Sequence, residues 1–446
     1  ALVSVDRLYL QQSLKKLTEQ TGLMSNVVNV VKSPLEVLRI GSELAENATR
    51  LGAFKRKTRG DRSQESLAQG AFESREITLD FARMGSKMQG WNQISAFLNA
   101  KFQGFDREIR GIIDNPKRVI GGAVTAITLP SIALWFNNHT DPRYKDIPQW
   151  QKDLSWLIMT DDTVYRVPKP FGPGVLFGSF PERMLDAYYA ENPKAIQEMA
   201  KLFFADNVSS YFPTAVTPII ENISNYSFFR GGPVVPSRLE KFVPEERYTD
   251  YTTEVAKTLG QFTGAINVTP IDIENYVRQW SGSLGMYALK TIDHSLRKSG
   301  ILPDIPKPED TLADIPFVKS FVVRHPGSGS QHTIDFYKNY RRHDQNLNTY
   351  KKLLVEEPER AETFLKKIGG IGNATPLTGY KDAIGTYASL IRRVYKDPEM
   401  SPEDKRQLID GYYRDMSAMA KQGNALMIEI STTEETEETE ETEETK

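Results

Sequence analysis

Cysteine is absent from all 446 residues of the chain, and histidine is scarce. Without thiols, disulfide bonds, thiolate zinc sites and cysteine nucleophiles are excluded. The five histidines lie apart and in no HExxH or HxH pattern, at positions 139, 294, 325, 332 and 343. We therefore expect the chain to bind no metal and no cofactor.

Sequence signatures of catalysis are also absent. The glycine-rich stretch at residues 369–372 (GGIG) is too short for a dinucleotide-binding loop and follows no predicted strand. No phosphate-binding loop ends in Gly-Lys-Ser or Gly-Lys-Thr, and no nucleophile elbow occurs. The sequence therefore predicts that the chain is not an enzyme.

The formal charge of −2 is unevenly distributed. Residues 431–446 hold four EET repeats with eight glutamates, and the rest of the chain has 55 basic residues against 50 acidic ones. Such a small excess does not by itself indicate nucleic-acid binding. We expect the acidic tail to be a disordered, solvating segment, and the alternative is a DNA mimic that lies on a basic neighbour.

One local cluster of positive charge stands out from this balance. Residues 54–62 (FKRKTRGDR) place five basic side chains within nine residues, namely Lys55, Arg56, Lys57, Arg59 and Arg62. The pattern is typical of a solvated loop between two helices. The alternative is a contact with the phosphates of DNA or with anionic lipid.

Apolar spacings of three and four residues predict a largely helical chain. Residues 33–36 (SPLE), 269–272 (TPID) and 401–404 (SPED) each combine a capping hydroxyl, a proline and an acidic residue, which predicts a helix start. Ten prolines between positions 168 and 244 allow only short helices and ordered turns there. We expect an all-α fold with an irregular middle and at most a few short strands.

Changes in composition and in apolar spacing along the chain predict five segments. They are an N-terminal helical segment (1–65), a helical domain (66–298) that includes a proline- and glycine-rich docking region (160–245), a connector (299–332), a C-terminal helical segment (333–430) and the acidic tail (431–446). No internal repeat of 20–50 residues is seen, which argues against a solenoid.

An apolar run at residues 120–136 (IGGAVTAITLPSIALWF) carries no formal charge. Its length is at the lower limit for crossing the hydrocarbon core of a bilayer. The composition favours a buried core helix, and the alternative is a membrane-contacting segment, since basic residues precede the run and Trp135 lies at its far end. The candidate membrane-contact residues are Ile120, Val124, Ile127, Leu129, Ile132, Leu134, Trp135 and Phe136.

Two short motifs, RVPKPF (166–171) and FPER (180–183), combine prolines, aromatic rings and charges. Lys169 and Arg183 could bind a phosphate. Pairing of Arg183 with a local carboxylate, such as Asp161 or Asp162, is the favoured interpretation, with the prolines fixing the turn. The candidate partner-docking residues are Tyr165, Arg166, Pro168, Lys169, Pro170, Phe171, Phe180, Glu182 and Arg183.

Seven segments carry a family resemblance. They are SREITLDFARMG (74–85), NAKFQGFDRE (99–108), TLPSIALWFNN (128–138), DPRYKDIPQWQKDLSW (141–156), YRVPKPFGPGVLFGSFPER (165–183), TPIDIENYVRQWSGSLG (269–285) and DIPFVKSFVVR (314–324). Over residues 70–345 the chain resembles the large polyvalent-protein-associated α-helical domain of giant phage and mobile-element proteins. The sequence departs from the usual pattern at Gly172-Pro173 and at Thr269-Pro270.

The resemblance implies an internal virion protein of a phage, of which this chain would be the C-terminal portion. Such an ejection protein would be packaged in the capsid near the portal, leave with the DNA, and help to form a conduit through the host periplasm and inner membrane. The implied partners are the portal, other ejection proteins and further copies of the chain, with DNA and the host membrane as further candidates. Two alternatives stay open: an accessory region of a virion RNA polymerase or lytic transglycosylase, and a DNA-binding packaging module.

Overall fold

The computed structural model describes residues 34–76, 98–170, 172–189, 195–197, 199–200, 214–368 and 375–444. These residues belong to two compact units, and each is described by itself. The first unit includes residues 34–76 and 99–108, and the second includes the described residues from 109 onward.

A helical hairpin forms most of the first unit. Its helices are α1 (Pro34–Thr58) and α2 (Gln64–Glu76), so α1 begins where the sequence predicts a helix start. The turn between them opens with Arg59 and Gly60 at φ 47° and 86°, the left-handed conformation that commonly ends a helix. Gly70 lets the two helices approach closely, because a Cβ at this position would lie 2.6 Å from Cγ2 of Thr58.

Helix α3 (Leu98–Asp114) comes next in the chain, and helices also dominate the second unit. They are α4 (Pro116–Asn138), α5 (Pro142–Asp146), α6 (Gln149–Leu154), α7 (Phe180–Tyr189), α8 (Thr217–Ser224), α9 (Glu254–Thr263), α10 (Pro270–Lys298), α11 (Gln331–Glu356), α12 (Pro358–Ile368), α13 (Thr375–Lys396) and α14 (Pro402–Glu444). Thr269 and Asp272 form a reciprocal capping box at the start of α10. Ser401 accepts a hydrogen bond from the backbone N–H of Asp404 at 3.1 Å. The predicted starts of α10 and α14 are thus confirmed.

A small antiparallel sheet lies between these helices in sequence. Its strands, in order across the sheet, are β1 (Ser155–Met159), β2 (Val164–Pro168) and β3 (Val322–Val323). Leu157, Val164 and Val323 point to one side of it and are buried. They pack with Tyr144 and Ile147, and this small core fixes the hairpin formed by β1 and β2.

The largest apolar core of the described residues is formed by α11, α13 and α14. Phe336, Ile384 and Ile409 are fully buried at its centre. Gly423 allows α14 to approach α11, since a Cβ there would lie 2.6 Å from the ring of Phe336. Burial of this kind contributes roughly 1.5–3 kcal/mol for each large side chain.

Buried polar contacts join these C-terminal helices to the preceding part of the second unit. The Tyr413 hydroxyl on α14 donates to Asp250 at 2.8 Å. The Ser417 hydroxyl, one turn later, donates to Asp146 of α5 at 2.6 Å. Because buried polar groups without partners are costly, these contacts fix how α14 sits on the unit.

The prediction of an all-α fold is confirmed, since the described residues are mainly helical with one sheet of three short strands. The described part of the proline-rich middle holds short helices and turns, as expected. The five predicted segment boundaries stay predictions. The expectation of a disordered acidic tail is wrong for residues 431–444, because α14 continues to Glu444.

Candidate membrane-contact and docking site

The apolar run forms the greater part of α4, which passes through Pro130 without a break. Proline lacks an N–H and its ring clashes with the preceding turn of an α-helix. Immediately before Pro130 the helix widens into a π-turn, Val124–Thr128, which holds one more residue than an α-helical turn. The wider turn thus coincides with the position where an α-helical hydrogen bond would be lost.

One face of α4 is fixed to the body of the second unit. The indole of Trp135 donates to Asp186 of α7 at 2.7 Å. The indole of Trp156 on β1 donates to Ser131 of α4, also at 2.7 Å. The Asn138 amide donates to a backbone carbonyl of β1 at 2.8 Å. These bonds hold the C-terminal half of the helix.

The remaining surface of α4 is apolar and exposed. By length and composition α4 is the one helix, within the described part of the chain, that could cross a membrane, and only 22 % of its most apolar window is buried. Leu129 and Phe136 are 56 % and 49 % exposed. The favoured expectation of a buried core helix is therefore wrong, because the helix is covered along one face alone.

The candidate membrane-contact residues divide between the two faces. Ile127 and Trp135 are buried and face the protein, so direct contact with lipid is excluded for them in this structure. Ile132 and Leu134 are half-buried. The exposed residues are Ile120, Val124, Leu129 and Phe136.

A buried ion pair lies beneath this helix. The ammonium of Lys169 donates to Glu182 of α7 at 2.6 Å and to the Ser179 hydroxyl at 3.2 Å, and both charged side chains are buried. Burial raises the pKa of Glu182 to about 7, because desolvation outweighs the attraction of the ammonium. The Lys169 ammonium is therefore paired with the Glu182 carboxylate and is not available to bind a phosphate.

A second buried pair joins α7 to α6. Arg183 donates through Nε and Nη2 to the two carboxylate oxygens of Asp153, at 3.0 and 2.9 Å. Both side chains are buried. The expected pairing of Arg183 with Asp161 or Asp162 is wrong, and the correct partner lies at the end of the preceding helix. Such a two-pronged pair fixes the orientation of α7 as well as its charge balance.

The candidate docking residues also fall into two groups. Lys169, Glu182 and Arg183 are buried and hold the fold together, so they present no surface to a partner. Arg166 is engaged as well, since its guanidinium donates to the carbonyls of residues 319 and 320, both at 2.9 Å. Phe171 lies outside the described residues. The members that remain exposed are Tyr165, Pro168, Pro170 and Phe180.

A second apolar surface, on the helix that follows the hairpin, was missed by the sequence reasoning. The π-turn Val175–Ser179 continues directly into α7. The exposed positions of this helix are all apolar or aromatic, and they are Leu176, Phe180, Met184, Tyr188 and Tyr189. The first four lie four residues apart, a spacing that could have indicated one helical face. We call these five residues the α7 stripe.

The π-turns of the two helices lie against each other. Thr128 donates to the carbonyl of Phe177 at 2.6 Å. A Cβ on Gly178 would lie 2.9 Å from Oγ of Ser131. Phe136 of α4 also contacts Tyr189, with ring centroids 6.0 Å apart. The exposed faces of α4 and of the α7 stripe are therefore neighbours.

The five basic residues of the 54–62 cluster are all exposed, at the end of α1 and in the turn that follows. Lys57 lies 3.4 Å from Glu73 of α2, and both side chains are exposed. The predicted solvated loop holds only for Arg59 and Arg62, because Lys55, Arg56 and Lys57 form the last turn of α1. This arrangement leaves the alternative of a contact with an anionic surface open.

No group of three His, Asp or Glu side chains suited to a metal ion occurs among the described residues. A Ser-His-Asp combination does occur, where Asp146 accepts from Ser330 and Ser417, each at 2.6 Å, and lies 3.0 Å from Nε2 of His325. Both hydroxyls donate to the carboxylate and not to the imidazole. The geometry is therefore that of a structural tie and not of an activated nucleophile.

Comparison with known proteins gives one match. Residues 141–318 match the family model of large polyvalent protein associated domain 38. No curated protein and no solved structure matches the chain. The match includes β1, β2, α7 and both buried ion pairs, and it ends before β3 and the C-terminal helices.

Proposed function

Because residues 141–318 belong to large polyvalent protein associated domain 38, which indicates a phage-associated large polyvalent protein, we propose that the chain acts as an internal virion protein that is ejected with the DNA. It is packaged near the portal and then contacts the host envelope. The observation that supports this role is the exposed apolar face of α4, carried by a body that buried ion pairs hold rigid.

The proposed role is non-catalytic. The exposed part of α4 serves as a contact with the inner membrane once the protein has left the capsid. Its partners in the particle are the portal, other ejection proteins and further copies of the chain. The apolar surface supports this proposal because contiguous exposed apolar patches commonly mark a site of interaction with protein or membrane.

A vesicle flotation experiment tests the membrane contact. The purified chain is mixed with vesicles of phosphatidylethanolamine and phosphatidylglycerol and centrifuged through a density gradient. We expect the protein to float with the vesicles, and Leu129→Glu to reduce the bound fraction roughly tenfold or more, because a charge replaces an apolar group at the lipid boundary. Val355→Glu is the matched control, since Val355 is 85 % exposed on α11.

If the wild-type chain stays with the soluble fraction, membrane contact is refuted. The virion location has a separate test, in which purified particles are analysed by mass spectrometry. Absence of peptides from this chain would remove the proposal of an internal virion protein.

The exposed basic cluster supports a second candidate, a DNA-binding packaging module. Neutralisation of phosphates by Lys55, Arg56 and their neighbours would give an affinity for duplex DNA that falls steeply with salt. Measurement of binding between 50 and 200 mM salt, values chosen to span that dependence, decides this candidate. A weak or salt-independent affinity counts against it.

A further inference from the structure

We propose that α4 and the α7 stripe together form one lipid-binding surface that lies on the membrane and does not cross it. This inference rests on the proposed function and specifies how the membrane is engaged. The neighbouring apolar faces of the two helices carry it.

The apolar faces of α4 and α7 form a single surface. The two helices are held side by side by the Thr128 hydrogen bond and by the close approach at Gly178. A spacing of four residues drifts around an α-helix of 3.6 residues per turn. The π-turn at the start of α7 holds an extra residue, which offsets part of this drift and keeps Leu176 in line with Met184. The stripe is therefore one continuous face.

The centre of this surface carries no charge. Beyond Arg118, every exposed side chain of α4 is uncharged, and the exposed positions of the α7 stripe carry no charge either. The acidic residues of α7 turn inward, where Glu182 pairs with Lys169 and Asp186 accepts from Trp135. The centre of a protein interface is also depleted of charged residues. The edges of this face therefore decide between lipid and a protein partner.

Basic and tyrosine side chains lie at the edges of this face. Lys117 and Arg118 are exposed at the first turn of α4, where they can reach anionic headgroups. Tyr188 and Tyr189 lie at the C-terminal end of α7, and Tyr188 is 79 % exposed. Basic and tyrosine side chains are enriched at the boundary between lipid and water. The chemistry recognised is therefore that of a bilayer surface with anionic headgroups.

The hydrogen bonds of α4 favour a helix that lies on the membrane over one that crosses it. Crossing would require α4 to leave its bonds with Asp186, Trp156 and the backbone of β1. Each buried polar group left without a partner costs about 1–3 kcal/mol. Lying on the surface breaks none of these bonds, because the face that meets lipid is already free. The structure thus favours shallow binding, at a depth of about 5–10 Å.

The absence of cysteine makes depth measurements direct. Single cysteines replace Val124, Leu129, Met184 or Val355 in the full chain, and each carries an environment-sensitive fluorophore. Vesicles contain lipids with quenchers placed near the headgroup or near the bilayer centre. We expect labels on α4 and α7 to be quenched by the shallow lipids to the same extent, while the label at Val355 stays unquenched. Deep quenching at Leu129 together with no quenching at Met184 would overturn the proposal in favour of a spanning α4.

Flotation of stripe variants separates this inference from the proposed function. Leu176→Glu combined with Met184→Glu changes exposed side chains only, so the fold is retained, and circular dichroism verifies it. We expect a loss of binding comparable to that of Leu129→Glu. If Leu129→Glu abolishes binding and the stripe variant binds like wild type, the two-helix surface is wrong while membrane contact stands. If the wild-type chain does not bind, membrane contact itself fails.

A second copy of the chain is the competing occupant of the same face. Light scattering of the purified chain without vesicles measures it. A dimer that dissociates on the Leu176→Glu, Met184→Glu double change, with vesicle binding unaltered, would assign the face to a second copy and refute the lipid proposal. A monomer in solution, with vesicle binding lost in the double variant, supports it.

Discussion

The ion pair between Arg183 and Asp153 should be one of the most sensitive contacts in the second unit. Both side chains are buried, with 3 % and 6 % of their surface exposed, and two hydrogen bonds join them. Asp153→Asn keeps the shape of the side chain and removes the negative charge that compensates Arg183. The guanidinium then retains Asp186 alone, at 3.4 Å. We expect the free energy of unfolding to fall by about 3 kcal/mol, since breaking a buried pair costs about 3–5 kcal/mol and Asp186 compensates in part.

Urea unfolding followed by tryptophan fluorescence measures this loss. Trp135 is a local reporter, because its indole donates to Asp186 in the same network. The matched control is Glu357→Gln, which breaks the pair with Arg360. That pair has a similar length of 2.7 Å, but its side chains are 47 % and 72 % exposed. Exposed pairs contribute about 0–1 kcal/mol.

A double variant tests the reasoning further. Asp153→Leu combined with Arg183→Met removes both charges, and it should recover most of the loss because the penalty comes from an unpaired buried charge. The reasoning is refuted if Asp153→Asn lowers stability no more than the exposed control does.

Two further predictions concern the same region. Burial lowers the pKa of Lys152 to about 8, below its value of 10.5 in the unfolded chain, so this group stabilises the fold above pH 10.5 and that contribution is lost as pH falls through 8. Lys152→Met should therefore be more stable than wild type at pH 7, by up to about 3 kcal/mol, and should lose this advantage near pH 10 in paired urea titrations. A difference that does not change with pH contradicts this. Gly178→Ala should lower stability by about 1–3 kcal/mol because its Cβ would meet Ser131, whereas Gly121→Ala, with nothing within 4 Å, should not lower it. Equal melting temperatures for the two variants would argue against close helix approach at Gly178.

Local features of the fold could be predicted from the sequence. The capping residues of α10 and α14 act within four residues of one another, so a short pattern specifies them. The apolar run was identified as a helix for the same reason. Its burial could not be predicted, because burial depends on how many other elements pack against it.

Long-range pairings were the part that the sequence did not specify. Arg183 pairs with Asp153 and not with Asp161 or Asp162, which are nearer to it in sequence, because α6 packs against the π-turn that leads into α7. The pairing of β2 with β3 joins residues more than 150 positions apart. The α7 stripe was not predicted, because prolines and charged residues dominate the same segment. Its signal in the sequence is the apolar or aromatic residue at every fourth position.

Helix α14 completes buried hydrogen bonds whose partners lie far earlier in the chain. Ser417 reaches back 271 residues to Asp146, and Tyr413 reaches back 163 residues to Asp250. The ribosome synthesises residues 141–318 well before Tyr413 and Ser417. Asp146 and Asp250 therefore gain their hydrogen bonds to α14 only after that helix has been made. Helix α4 is not subject to this delay, because its hydrogen bonds to Trp156 and Asp186 span only 25 and 51 residues. The apolar face of α4 is therefore in place on its supporting elements before α14 has been made.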